Sequence, residues 1–151
     1  MRVSAARREA IPAWASIFWS RSPFALGLLS SFFVMRRVDK PWGHEIIWAE
    51  TERYVAKLLH IVAGHKLSRQ YHERKDETFY VQTGEMDLEV GDEADRRTLR
   101  MRAGDAFHCA PRTVHRMIAI TDVDVFEAST PELEDVVRLE DAYGREGTNH
   151  P

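Results

Sequence analysis

The sequence has one cysteine, no apolar run of membrane-spanning length and no excess of positive charge. Cys109 is the single cysteine of 151 residues, so an intramolecular disulfide framework and an all-thiolate zinc site are excluded. We expect Cys109 to be a small buried residue on a strand. The run from Pro23 to Val34 is shorter than the roughly 20 residues that cross a bilayer. A net charge of −3 gives no broad positive field for nucleic acid.

The chain has the length of one domain, and its 30% charged and 44% apolar residues are typical of a globular protein. Its first 34 residues differ from the rest, because arginines precede an apolar stretch that Arg21 interrupts. A secretion signal is disfavoured, since no small-x-small cleavage site follows. We expect residues 1–34 to be a poorly ordered extension or the product of an upstream start codon, and residues 35–151 to form the folded domain. We expect a cytoplasmic protein with no membrane or nucleic-acid partner.

Short β-rich runs separated by turn residues fill the chain from residue 44 onward. No long amphipathic helix lies between them, so the pattern predicts an all-β antiparallel sandwich or barrel. A short helical turn is expected only over Pro131–Leu139. The predicted strands are His44–Ala49, Tyr54–Val62, Lys66–His72, Thr78–Gln82, Glu85–Val90, Arg97–Met101, Ala106–Ala110, Val114–Ile120 and Val123–Ser129.

Two clusters carry the chemistry, Gly64-x5-Gln70-x-His72-x4-Glu77-x6-Gly84 and Gly104-x10-His115. Residues two apart in a strand point to the same face, so Gln70 and His72 can converge on one ion. Glu77 returns on the far side of a short turn, and Gly64 and Gly84 stand where turns need positive φ. The predicted metal ligands are Gln70, His72, Glu77 and His115.

Two imidazoles, one carboxylate and one amide suit a divalent metal, with zinc expected first and manganese, cobalt, nickel or iron as alternatives. Four protein ligands on an ion that accepts five or six would leave positions for a substrate. The other five histidines lack this sequence context and are expected to be structural or exposed. They are His44, His60, His65, His108 and His150.

These clusters resemble the paired motifs of the cupin superfamily, G-x5-H-x-H-x3,4-E-x6-G and G-x5-P-x-G-x2-H-x3-N. The resemblance implies a single cupin barrel, a jelly roll also called a double-stranded β-helix. Gln70 stands at the first histidine of the motif and Ala110 at the proline. Arg112 replaces the glycine of the second motif, and Ala119 replaces its asparagine.

With Gln70 at this position, the sequence resembles a narrower family, the type II mannose-6-phosphate isomerases. The corresponding segment of that family reads approximately RPWG…VKR…LSLQxHHHRxEHW. The chain offers Lys40-Pro41-Trp42-Gly43, then Ala56-Lys57, then Leu67-Ser68-Arg69-Gln70-Tyr71-His72 and Glu77. Its tail, Asp135-Val136-Val137-Arg138-Leu139-Glu140-Asp141-Ala142-Tyr143-Gly144-Arg145, resembles DDIVRxEDxYGR. The likeness covers about residues 40–145. Departures beside the site are Arg69, Arg74, Lys75 and Thr78-Phe79.

This resemblance implies aldose–ketose isomerisation of a sugar or sugar phosphate through an enediolate whose charge a metal stabilises. Lys57, Lys75 and Arg116 are the predicted catalytic residues, for proton transfer or phosphate contacts. Arg74, Tyr143 and Arg145 are the predicted substrate-binding residues. No nucleotidyltransferase domain is recognisable, so guanylyl transfer is not expected.

Two alternatives stay open at this point. His72, Glu77 and His115 also form the two-histidine, one-carboxylate set of non-haem iron oxygenases. A non-catalytic sugar-binding module is the other alternative, because several family residues around the site are absent. A homodimer is the default expectation for exposed cupin strand edges.

Overall fold

A computed structural model describes residues 35–147, and the sequence expectations for residues 1–34 and for His150 lie outside this range. The described part is built from eleven strands. They are β1 (Arg36–Lys40), β2 (Gly43–Glu50), β3 (Val55–Ile61), β4 (Arg69–Tyr71), β5 (Glu77–Thr83), β6 (Glu85–Val90), β7 (Arg97–Arg102), β8 (Ala106–Cys109), β9 (His115–Ala119), β10 (Val123–Ser129) and β11 (Val137–Glu140). No helix that could span a membrane occurs in the described range.

The strands form two antiparallel sheets, which confirms the all-β prediction. The six-stranded sheet has the order β1-β2-β3-β10-β5-β8, and the five-stranded sheet has the order β11-β4-β9-β6-β7. All nine predicted strands form, β6 and β10 with the predicted ends and the others with shifted ends, and β1 and β11 are additional. The expected helical turn at Pro131–Leu139 is wrong in detail. The segment makes a reverse turn, in which the Asp135 N–H donates to the Glu132 carbonyl at 3.4 Å, and then continues as β11.

Side chains alternate along each strand between the barrel interior and the outside. On the interior side, the residues change from apolar to polar along the strand. In β10, Val123 and Val125 are fully buried in the apolar core. Glu127 and Ser129 follow on the same face and are also buried. Phe79 on β5 packs in the core next to Glu77 in the same alternation. One half of the barrel is therefore closed by apolar packing, and the other half is polar.

Two glycines allow the sharp turns that bring the site strands together. Gly64 has φ +78° and Gly84 has φ +81°, so the predicted positive φ is confirmed at both positions. A Cβ at Gly84 would lie 2.2 Å from the Asp122 carbonyl oxygen, so this position also needs the missing side chain. Gly84 joins β5 to β6, and the turn therefore links the two sheets through the strand that carries Glu77.

Candidate metal centre

Three predicted ligands meet at the polar half of the barrel. The side-chain donor atoms of His72, Glu77 and His115 all lie within 4.8 Å of one another, and all three residues are buried. Glu77 Oε1 is 3.4 Å from His72 Nε2 and 3.2 Å from His115 Nε2. Two imidazole nitrogens and one carboxylate oxygen thus face a common point, as divalent metals require.

Backbone carbonyls hold both imidazoles in the orientation that a metal needs. His72 Nδ1 donates to the Asp135 carbonyl, and His115 Nδ1 donates to the Thr113 carbonyl at 2.9 Å. Because a carbonyl only accepts, Nδ1 of each ring carries a proton, so Nε2 is the nitrogen whose lone pair a metal would use once the ring is neutral. Cys109 Sγ lies 3.1 Å from His115 Nδ1, and the prediction that Cys109 is a buried strand residue is confirmed.

Two buried polar atoms at this point have no hydrogen-bond partner within residues 35–147. They are Nε2 of His72 and Oε1 of Glu77, and both face the common point. An unsatisfied buried donor or acceptor normally costs about 1–3 kcal/mol. A bound cation would satisfy both atoms at once, so the residues present fit a divalent metal.

Gln70, the fourth predicted ligand, lies beside the donor triad. It pairs across the strands with His115 and lines the same cavity as all three donors. Its Oε1 accepts a hydrogen bond from Ser68 Oγ at 2.6 Å. The role of Gln70 as a fourth ligand stays a prediction.

The carboxylate of Glu77 is fixed from behind by a buried lysine. Lys75 Nζ lies 2.5 Å from Glu77 Oε2 and 2.6 Å from Glu127 Oε1. Burial alone would lower the pKa of Lys75, but the carboxylates of Glu127 and Glu77 outweigh it and hold that pKa well above its ordinary value. Lys75 is therefore charged at neutral pH. In this state its ammonium group donates hydrogen bonds and cannot accept a proton.

The same contacts keep both carboxylates ionised. Burial works to raise the pKa of Glu77, but the two imidazoles and the Lys75 charge hold it well below its usual range. Burial likewise opposes ionisation of Glu127, and the Lys57 and Lys75 charges lower its pKa below the ordinary value. Lys75, Glu77 and Glu127 are thus all charged before any metal is added.

The ion pairs continue from Glu127 along the cavity wall. Lys57 Nζ lies 3.7 Å from Glu127 Oε1 and 3.5 Å from Glu45 Oε2. Lys40 Nζ lies 3.1 Å from Glu45 Oε1. Six buried or nearly buried groups therefore alternate in sign along a series that ends in the donor triad, and we call them the charge ladder: Lys40, Glu45, Lys57, Glu127, Lys75 and Glu77.

The sequence analysis did not single out Glu45 or Glu127. A usable signal was present, because Glu127 is in phase with Val123 and Val125, and so points inward with them. Glu45 has the same phase relative to Ile47 on β2. A charged residue on the apolar phase of a barrel strand indicates an interior site.

The donor triad and the charge ladder line one cavity of about 210 Å³. Residues of the chain between 57 and 127 match the cupin domain family, a range that includes all the predicted metal ligands. The chain belongs to the cupin superfamily.

One curated relative of this cupin is the mannose-1-phosphate guanylyltransferase ManC of Salmonella typhimurium, 31% identical over 114 residues. The match covers 73% of this chain but 23% of that protein, so the cupin spans about a quarter of its length. The structure of KdgF from Halomonas sp. is 29% identical with a TM-score of 0.58, covering 70% of this chain and 98% of that chain. A Streptomyces Pac13 variant solved with uridine shares the fold, with TM-score 0.60, 14% identity, and coverage of 70% and 84%.

The three predicted substrate-binding residues differ in their location relative to the cavity. Arg145 lines the cavity and pairs with Asp141, its Nη2 lying 2.9 Å from Oδ1. Tyr143 packs against the apolar core, and its hydroxyl lies 3.1 Å from His65 Nδ1. Arg74 is exposed and lines a separate shallow surface with Pro131 to Asp135.

Arg116 follows His115 in β9, and its guanidinium is engaged by two carboxylates. Its Nη2 lies 2.8 Å from Glu89 Oε2, and its Nη1 lies 3.0 Å from Glu140 Oε2. Strand alternation places Arg116 on the side of β9 opposite His115 and Met117. Lys57, Lys75, Arg116 and Arg145 are the predicted catalytic and substrate-binding residues that line the cavity, and the roles of all six stay predictions.

Proposed function

We propose that this cupin is a metal-dependent isomerase that interconverts an aldose and a ketose of a small sugar phosphate, with mannose 6-phosphate as the first candidate. The observation that carries the proposal is the donor triad of His72, Glu77 and His115, whose unsatisfied atoms face the cavity. The likeness to a protein named for mannose 1-phosphate supports a sugar ligand. Hydrogen-bond donors and acceptors, from lysines and glutamates along the cavity wall, suit a polyhydroxylated molecule.

His72, Glu77 and His115 would hold the metal, with Gln70 beside them. When bound, a divalent cation supplies Lewis acidity to carbonyl and hydroxyl oxygens. The chain's own groups then divide the remaining tasks. Both Lys57 and Lys75 line the cavity, and we assign them hydrogen bonds to substrate oxygens.

Moving a proton between C1 and C2 also requires a base that reaches the substrate. Within the described range, two buried carboxylates line the cavity in addition to Glu77. They are Glu45 and Glu127. Glu127 is linked through Lys75 to Glu77, and it is ionised. We therefore assign proton transfer to Glu127, with Lys57 positioning its carboxylate.

The test is turnover by the full chain after metal removal and reloading with Zn²⁺, Mn²⁺ or Co²⁺. Conversion of mannose 6-phosphate to fructose 6-phosphate is expected with at least one metal. His115→Ala should abolish both metal binding and turnover. His108→Ala is the matched control, since His108 is exposed and pairs with Asp76 outside the cavity. A protein that holds one ion per chain but converts no mannose 6-phosphate rejects this substrate.

A second candidate, a non-haem iron oxygenase, is favoured by the same observation, because two imidazoles and one carboxylate facing a common point form the oxygen-activating donor set. The two candidates differ in their dependence on oxygen. Oxygen consumption by the Fe²⁺-loaded protein, with no turnover under zinc, would select the oxygenase. Tight sugar binding without turnover under any metal would instead select a binding module.

A further inference from the structure

Arg138 on β11 lies in the same cross-strand row as two residues of the metal centre. Arg138 pairs with Gln70 on β4, and Gln70 pairs with His115 on β9. Residues opposite each other on neighbouring strands are about 4.5–5.5 Å apart at Cβ and share a face. Arg138 lines the cavity, whereas Leu139, the next residue, is exposed. The guanidinium therefore belongs to the cavity wall beside the donor triad.

The charges of the cavity make this wall favourable for an anion. The charge ladder contributes three lysines and three glutamates, which balance each other. Arg138 lies on the other sheet and adds positive charge to this balanced set, as would a bound cation. Burial and the nearby Arg145 charge both lower the pKa of Arg138, and Asp141 opposes them less strongly. Arg138 and Arg145 thus bring two guanidinium groups to the same cavity.

The two sheets thus present different chemistry to a molecule in the cavity. The six-stranded sheet offers alternating donors and acceptors from the charge ladder, which suit hydroxyl groups. The five-stranded sheet offers Arg138, with Arg145 lining the same cavity. A guanidinium binds phosphate or carboxylate oxygens through two parallel N–H groups, which a lysine cannot do.

We infer that Arg138 binds the anionic group of the substrate, and that the substrate is therefore a sugar carrying a phosphate or a carboxylate. The inference deepens the proposed function and rests on it only for the choice of sugar. It also assigns anion binding to a residue on β11, and not to Arg74, which is exposed and lines a separate surface.

The experiment measures binding of mannose 6-phosphate, mannose and glucuronate to the full zinc-loaded chain by calorimetry, for wild type and Arg138→Gln. Loss of a charge-assisted bidentate contact should raise the Kd for mannose 6-phosphate about tenfold or more. The Kd for mannose should change less than about twofold, because uncharged hydroxyls do not use this group. Arg53→Gln removes an exposed charge from the β2–β3 turn and should bind all three as wild type does.

Equal weakening of mannose and mannose 6-phosphate, or an unchanged Kd for mannose 6-phosphate, would overturn the inference. A comparable loss for glucuronate shows that the subsite takes carboxylates as well, and a loss confined to mannose 6-phosphate shows a phosphate site. Wild type that binds mannose 6-phosphate through Arg138 but makes no fructose 6-phosphate retains this inference and rejects the isomerase.

A second measurement covers the case in which Arg138→Gln does not fold. Inorganic phosphate is titrated into metal-free wild type while the Nε–Hε signals of the arginines are followed by NMR. We expect the Arg138 signal to shift, with the Arg53 signal unmoved. Phosphate that leaves the Arg138 signal in place would overturn the inference without any variant.

Discussion

Lys75 Nζ lies 2.5 Å from Glu77 Oε2, so one oxygen of the donor carboxylate is committed to a buried lysine and the other faces the two imidazoles. Glu127, on the neighbouring strand, holds Lys75 from the other side at 2.6 Å. The carboxylate is thereby restrained to present a single oxygen to a metal. The geometry of the centre depends on a residue that does not itself face the metal.

Lys75→Met should weaken both the fold and the metal site. It leaves Glu77 and Glu127 buried without their shared cation, and removing one partner of a buried pair costs about 3–5 kcal/mol. Loss of the group that orients a metal ligand should reduce zinc affinity about ten- to a hundredfold. Urea unfolding of the metal-free protein and zinc competition against a chromophoric chelator measure the two effects.

A double variant tests whether the stability lost in Lys75→Met comes from the carboxylates left without their cation. Lys75→Met with Glu127→Gln removes one of the two stranded carboxylates and should recover part of the lost stability. Lys66→Met is the lysine control, because Lys66 lies outside the charge ladder. Stability and zinc affinity that survive Lys75→Met unchanged would show that Glu77 is positioned by other contacts.

The strands of the barrel could be predicted because their signal is local. Alternating side chains and turn residues identify β6 and β10 without any knowledge of their neighbours. Two of the four edge strands, β1 and β11, carry no such signal. β1 reads Arg-Arg-Val-Asp-Lys, and charged residues are how exposed edges are commonly protected, so it resembles a loop in sequence. β11 forms by pairing with β4, a contact between residues more than 60 positions apart.

The metal ligands could be predicted because their spacing is set by one strand and one turn. The charge ladder could not be assembled in the same way. Lys57 and Glu127 are 70 residues apart, and only the register of β3 against β10 places them opposite each other. Arg138 likewise lies beside the metal centre only because the register of β11 against β4 pairs it with Gln70. A sequence shows that such residues are on the inward phase of a strand, but their partners follow from the register.

Metal binding should release close to one proton per ion at pH 7. In the metal-free protein, burial would lower the pKa of His115, but Cys109 and the Glu77 carboxylate outweigh it and raise that pKa above its ordinary value. His115 Nε2 therefore carries a proton toward Glu77, and a metal must displace it. Zinc titration by calorimetry in buffers of different ionisation enthalpy counts the protons released.

The sign of the pH dependence follows from the same group. Because the pKa of His115 is higher in the folded state, its contribution to metal-free stability is complete below about pH 6.5, the ordinary histidine value. It is lost as pH rises through the folded pKa, while zinc affinity increases over that interval. The exposed-site variant His108→Ala should release as many protons as wild type. Zinc binding without proton release would mean that His115 is neutral in the metal-free protein.

Asp135 ties the turn between the metal ligands to the C-terminal segment. Its carboxylate accepts hydrogen bonds from the backbone N–H groups of Glu73, Arg74 and Lys75, the two shorter ones at 2.6 and 2.9 Å. Asp135→Ala should lower the free energy of unfolding by about 1–3 kcal/mol, since bonds to a charged acceptor are lost. Zinc affinity should also fall, because the same turn sets the distance from His72 to Glu77.

The acid dependence of this effect distinguishes the carboxylate from a simple packing change. Partial burial works to raise the pKa of Asp135, but the N–H donors of Arg74 and Lys75 outweigh it and hold the pKa below its ordinary value. The stabilisation is therefore complete above about pH 4, the unfolded value, and is lost as pH falls through the folded pKa. Urea unfolding of wild type and Asp135→Ala at pH 7 and at decreasing pH should give two curves that converge in acid. Asp39→Ala, at an exposed pair with Arg37, should stay near wild type throughout. A difference between wild type and Asp135→Ala that is independent of pH would assign the loss to packing, and not to the three N–H bonds.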